Sequence, residues 1–219
     1  MAYLVRSIRW GKTDMEQQKF VSLSLRLEEV TALKSKAVRQ RDYVSRVSLP
    51  LAIQLLDTSD PYFDCFSVLD ELDYLEGLRK ASRTKRAMPF IQGSPLYPFW
   101  HKHFFSARHL IKNIGVRWNI DQGRKGNKDL DRMIDQIATQ YGEESSAWPD
   151  HLVHQLVMGG FEERAAQGLT GDWIIYAIHE GQNYYLDLAT HEEGQQEGGK
   201  ALREKLRGGC RAEFPFLFA

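Results

Sequence analysis

Two β-rich runs joined by a short glycine turn constrain this chain most. Asp172–His179 reads DWIIYAIH and Asn183–Thr190 reads NYYLDLAT, with Glu180-Gly181-Gln182 between them. Branched and aromatic residues suit a pleated surface, and a two-residue turn with glycine closes an antiparallel hairpin. Placing the turn at Glu180-Gly181 or at Gly181-Gln182 leaves the parity of the strands unchanged. Either way Trp173, Ile175 and Ala177 share a face with Tyr184, Leu186 and Leu188, and that face is expected to be core. The opposite face carries Ile174, Tyr176, Ile178, Tyr185, Asp187 and Ala189, with His191 just beyond the strand. A carboxylate in that apolar row needs a partner, or burial raises its pKa. Tyr176, Asp187 and His191 are therefore candidate site residues. The plainer reading is a structural Asp187 satisfied by a base or a helix N-terminus.

Upstream of the hairpin the periodicity is helical. Phe20, Leu23, Leu27 and Val30 form a helical stripe, although Val21, Leu23, Leu25 and Leu27 also alternate like a strand. The absence of Gly and Pro as far as Leu49 favours one helix over 20–47, preceded by a short strand over Tyr3–Arg9. Asp60-Pro61, Tyr97-Pro98 and Trp148-Pro149 each place a proline where a first helical residue is tolerated. They predict helices from Pro61 to about Arg79, from Pro98 through Trp100, Phe104, Ile111 and Ile114, and from Pro149 to Gly159-Gly160. A further helix is predicted over Asp129–Tyr141. After the hairpin, a helix over 197–207 and a last strand at Glu213–Phe218 complete the chain. The expected class is α+β: a single domain over residues 1–219, helical over 13–167, with the hairpin, a helix and the final strand over 170–219.

A chain of 219 residues can bury a core without disulfides. Its two cysteines, Cys65 and Cys210, form no CxxC pair, which fits a reducing compartment. No run approaches membrane-span length, and Arg6 and Arg9 break the apolar start. A cytoplasmic protein without membrane contact is expected. No phosphate-binding, dinucleotide, nucleophile-elbow or EF-hand motif occurs, and no cofactor is expected.

Lys and Arg balance Asp and Glu at 29 each, yet the charges are segregated. From Asp57 to Gly77 there are seven acids and no Lys or Arg. From Arg79 to Lys128 there are twelve Lys/Arg and one acid, Asp121. From Asp129 to Glu163 there are eight acids and one base, Arg132. The basic block is interleaved with Phe90, Tyr97, Phe99, Trp100, Phe104, Phe105 and Trp118. Cations neutralise phosphates and aromatic faces stack bases, the combination that single-stranded nucleic acid requires. Arg79, Lys80, Arg83, Lys85, Arg86 and Lys112 are the candidate nucleic-acid contacts. The competing reading is that these bases face the acidic flanks inside the fold.

The block also contains WHKHFFSARH. On a helix His101, Phe105 and His109 share a face with Arg108 alongside, while His103 points elsewhere. Neither this cluster nor His151 with His154 has a Cys or Glu at ligand spacing, so no metal ligands are expected. Histidine titrates near neutral pH and arginine stabilises phosphorane charge. His101, Arg108 and His109 thus join Tyr176, Asp187 and His191 as catalytic candidates for metal-free RNA cleavage. A nucleic-acid-directed, ribonuclease-like protein is the first functional reading. A non-enzymatic protein that docks a partner or a second copy is the alternative, and a metal-dependent hydrolase is the third.

Overall fold

The hairpin seeds a four-stranded antiparallel sheet, and the fold is α+β. The computed structural model describes residues 2–5, 23–60, 63–106, 109, 114–115, 117–118, 128–141, 152–159, 169 and 171–218. In chain order the strands and α-helices are β1 (Ala2–Val5), β2 (Leu23–Arg26), α1 (Leu27–Ala37), α2 (Leu49–Leu56), α3 (Cys65–Leu75), β3 (Met88–Pro89), β4 (Trp100–Phe104), α4 (Lys128–Tyr141), β5 (Asp172–His179), β6 (Gln182–Ala189), α5 (His191–Gln195) and α6 (Lys200–Cys210). The sheet order is β3-β4-β5-β6, and β1 pairs separately with β2.

The β5–β6 turn is Glu180-Gly181, with φ of 50° and 75°. Both residues lie in the left-handed region, as a turn matched to the twist of the strands requires. Ile175 pairs with Asp187 and Tyr176 with Tyr185, so Leu186 is an extra residue, a β-bulge. The bulge corrects the expected faces. Asp187 shares a side with Ile175 rather than with Tyr176, and Leu188 falls opposite Ile174. No sequence parity rule survives an inserted residue.

Both faces of the sheet are covered. On the first, Ile174, Tyr176 and Tyr185 join Val38, Tyr43, Leu51, Leu69 and Leu72 from the α1–α3 region. On the second, Ile175, Ala177, Leu186 and Ala189 meet Leu96, Phe99, Leu202, Leu206 and Phe214. This two-sided burial explains why β5 reads as a nearly continuous apolar run.

The predicted helix through Trp100 is instead a strand at its start. β4 runs antiparallel to β5, with His101 opposite Ile175 and His103 opposite Trp173. Trp100 and Phe104 belong to the first core. His101 and His103 point to the other side, against Trp173. The apparent helical stripe was a period-two pattern with two buried faces. Glu213–Phe218 is not a strand either. Pro215–Leu217 forms a 3-10 turn that buries Phe214 and Phe218 in the second core. Pro215 lacks the N–H that a central ladder needs.

The helix expected over 20–47 divides into β2, α1 and a 3-10 turn at Asp42–Arg46, so the alternation of Leu23 and Leu25 was the truer signal. Arg39 and Gln40, at φ of 53° and 61°, separate α1 from that turn. β1, at Ala2–Val5, begins one residue before the strand expected at Tyr3–Arg9 and overlaps its start; residues 6–9 lie outside the described residues. α3 starts at Cys65 because Asp64, rather than Asp60, caps it, accepting from Phe66 N at 3.0 Å. α4 matches its expected span, and residues 152–159 are helical as expected. α6 runs through Gly208-Gly209 to Cys210 instead of stopping before them.

Candidate functional site: a histidine cluster at the end of the sheet

Where β4 ends and β5 begins, three histidines gather around Trp173 and a fourth, His109, lies beside His191. His101 and His103 project from alternate positions of β4, and His109 follows that strand in the chain. His191 is the first residue of α5, fixed by a capping box: Thr190 Oγ1 accepts from Glu193 N at 3.1 Å, and Glu193 Oε2 accepts from Thr190 N at 2.7 Å. The rings of His103 and His191 are stacked at 5.1 Å between centroids. His191 lies 4.6 Å from Trp173, His101 lies 4.8 Å from Trp173, and His109 lies 6.5 Å from His191.

Two glycines make this packing possible. A Cβ on Gly171 would stand 1.7 Å from Phe104 O, so only glycine brings its backbone into the cluster. A Cβ on Gly194 would stand 2.0 Å from Cζ3 of Trp173, so α5 lies directly on the indole.

The hydrogen bonds fix tautomers. Gly171 O is 2.8 Å from His103 Nδ1 and 3.0 Å from His191 Nε2. A carbonyl oxygen only accepts, so both imidazoles donate to it. Gly171 N also approaches His103 Nδ1, at 3.4 Å. The shorter contact decides the tautomer, because one ring nitrogen cannot donate and accept together. The neutral His103 ring therefore carries its lone pair on Nε2, which makes no hydrogen bond among the described residues. His109 Nε2 stands 2.9 Å from Asp172 Oδ1, with the two side chains 15% and 5% exposed. A carboxylate behind an imidazole fixes its orientation and steadies the charge it takes up in proton transfer.

Burial pushes His101 and His103 down to about 4. For His101 the neighbouring His191 adds to desolvation. For His103 the bond to Gly171 O opposes it, while His191, His101 and Lys85 add to it. Both rings are neutral at neutral pH.

Lys85 belongs to the basic run Arg79–Arg86. This run is pinned rather than loose. Thr84 pairs with Leu169, and its hydroxyl donates to His103 O at 2.7 Å. Buried Lys102 donates to Ser82 Oγ at 2.9 Å and to Lys85 O at 2.8 Å, and also bonds Thr84 Oγ1. With Thr84 turned inward, Arg83 and Lys85 turn outward. Lys80, Arg83, Lys85 and Arg86 are exposed and form no ion pair among the described residues. Arg79 pairs with Asp70.

The carboxylates of α3 and of the turn that ends it are paired with bases. Glu71 faces Lys102, Asp73 faces Arg41 and Glu76 faces Arg46. Apart from Arg79 and Lys102, the bases that neutralise α3 and its C-terminal turn come from the 3-10 region. Among the described residues, α3 therefore pairs with Arg79 alone of the exposed basic run.

The sequence candidates separate into three groups. His101, His109 and His191 come together. Tyr176 and Asp187 do not join them or each other. Tyr176 lies in the first core, whereas Asp187 faces Lys205 of α6 at 3.2 Å. Burial pushes the Asp187 carboxyl up, with Lys205 opposing. Arg108 and Lys112 lie outside the described residues. The sequence reading missed His103, Asp172 and Gly171. The HKH spacing carried that signal, since residues two apart share a face only on a strand.

Among the described residues no group of three or more His, Cys, Asp or Glu side chains has the geometry of a metal site. No helix of the described residues is long and apolar enough to cross a membrane. No protein-family model, curated protein or solved structure matches this chain.

Proposed function

We propose that this protein is nucleic-acid-directed and that its histidine cluster cleaves RNA by acid–base chemistry. The observation that carries the proposal is that Thr84, between exposed Arg83 and Lys85, donates its hydroxyl to His103 O at 2.7 Å, which fastens the basic run to the cluster. Arg83, Lys85 and Arg86 hold the phosphate backbone, and the imidazoles beside them move protons. A positioned histidine accelerates such a step by roughly 10²–10⁴.

The test of binding is retention on single-stranded RNA as salt is raised. Each phosphate contact on a single strand contributes about 0.7 to the log–log salt slope. Replacing Arg83, Lys85 and Arg86 together by serine is expected to lower that slope by about 2, leaving thermal stability unchanged because all three are exposed. Wild-type protein that fails to bind RNA at low salt ends the proposal.

A second reading, docking of a protein partner, rests on Met88, Ile91 and Tyr97. These are 57%, 79% and 49% exposed on the segment that follows the basic run. It predicts retention of RNA, if any, without cleavage.

A further inference from the structure

Resting on the reading of RNA cleavage, we infer that the attacking group is the substrate's own 2′-hydroxyl and that His103 Nε2 is the base that takes its proton. The site is therefore specific for RNA over DNA.

The chemistry of the cluster leads there. A phosphodiester can be opened by a side-chain nucleophile, by water, or by the neighbouring 2′-oxygen. Among the described residues the cluster contributes imidazoles, the indole of Trp173, the Gly171 backbone and Asp172. Asp172 is spent on His109. Thr84 and Thr190 place hydroxyls beside the cluster, but Thr84 is engaged by His103 O and Lys102 and Thr190 by the α5 cap, while Cys210 lies buried in the second core. The groups present transfer protons and hold charge.

The Gly171 carbonyl then assigns the base. It compels His103 to carry its hydrogen on Nδ1. The lone pair of Nε2 is consequently available in the neutral ring, and His103 is only 5% exposed. The exposed bases Arg83 and Lys85 flank Thr84, whose hydroxyl is bonded to His103 O, so the phosphate charge has cations on the adjoining segment.

The step balances without a co-reactant. O2′ attacks phosphorus while its proton passes to His103 Nε2. The P–O2′ bond forms and the P–O5′ bond breaks. O5′ leaves with a proton donated by His109, which Asp172 holds in place. The products are a 2′,3′-cyclic phosphate and a 5′-hydroxyl, and solvent exchange resets the two histidines.

The experiment uses the full chain with three single strands of one sequence: RNA, fully 2′-O-methylated RNA, and DNA. The RNA is expected to be cut to 2′,3′-cyclic phosphate and 5′-hydroxyl ends. The methylated strand is expected to be retained but not cut, and the DNA not cut. His103→Asn keeps a donor for Gly171 O but has no basic nitrogen. It is expected to lower the cleavage rate by at least about 10²-fold, with retention unchanged. A melting curve confirms that it folds, and His103→Gln serves if it does not. Cleavage of DNA or of the methylated strand, 5′-phosphate ends, or full activity in the folded variant overturns this inference alone. RNA that is retained but never cut removes cleavage and this inference with it. RNA that is not retained removes the nucleic-acid reading itself.

Discussion

Replacing Lys102 by methionine is expected to destabilise the protein by about 3–5 kcal/mol, the cost of stranding one partner of a buried ion pair. The Lys102 side chain is 0% exposed and that of Glu71 is 8%. Glu71 Oε2 lies 2.9 Å from Lys102 Nζ but outside hydrogen-bond alignment, so this contact is coulombic. The ammonium hydrogens go instead to Ser82, Thr84 and the Lys85 carbonyl. Burial pushes the Lys102 ammonium down, and Glu71 opposes that shift. Methionine fills similar volume but leaves the Glu71 charge buried and three acceptors without their donor. The double substitution Lys102→Met with Glu71→Met removes the stranded charge and is expected to recover at least about half of the loss. Urea denaturation of the two single variants and the double variant measures this. A single-variant loss below about 1 kcal/mol would show that the pair does not hold the basic run in place. The same measurement bears on function, because Lys102 fastens Ser82, Thr84 and Lys85 behind the site.

The reach of the sequence can be judged from particular residues. The β5–β6 hairpin was legible because branched and aromatic residues flank a Glu-Gly turn whose conformation glycine favours. The span of α4 was legible for the same kind of local reason. β4 was not. Trp100 and Phe104 lie four apart, which suits one face of a helix, and they also share one face of a strand. Only the partner strand distinguishes these, and Trp173–Tyr176 are about 70 residues further on. With β4 read as a helix, His103 was turned away from His101 and lost from the site. Asp187 was misplaced for a different reason. Its face depends on the bulge at Leu186, where Val47 and Ser48 meet β6: Val47 bridges Tyr185, and Ser48 N donates to Tyr185 O at 2.9 Å. Such tertiary contacts leave no local pattern. The charge blocks were read correctly in composition, but their pairing was beyond sequence. The acids of α3 take Arg41 and Arg79, and Lys102 from within the sheet. His101, His109 and His191 were named for their chemistry, and it is the β4–β5 pairing and the α5 cap that bring them together.

Acidification from pH 7 to 4 is expected to remove about 4 kcal/mol of stability through His101 and His103, roughly 2 kcal/mol each after solvent screening is allowed for. The ordinary histidine value is 6.5, and burial holds both rings at about 4 in the folded state. Between those values the unfolded chain binds protons that the folded chain refuses. Stability therefore rises with pH across the window: it is fully present above 6.5 and is lost as pH falls toward 4. Two other buried groups act outside this account. Burial pushes Glu76 up, but Arg46 and Tyr185 outweigh it and hold it below the usual value, so its contribution is lost at lower pH still. Asp187 is held above its usual value, which favours the folded state as pH falls. Both remain in a variant carrying His101→Phe and His103→Asn, so comparison with the wild type cancels them. The wild-type profile is expected to be steeper than that of the variant by up to about 2 kcal/mol per pH unit between pH 6.5 and 4.5. Urea titrations at matched ionic strength give both profiles. Parallel profiles would mean that the two rings titrate alike in the folded and unfolded chains, so that burial does not hold them neutral.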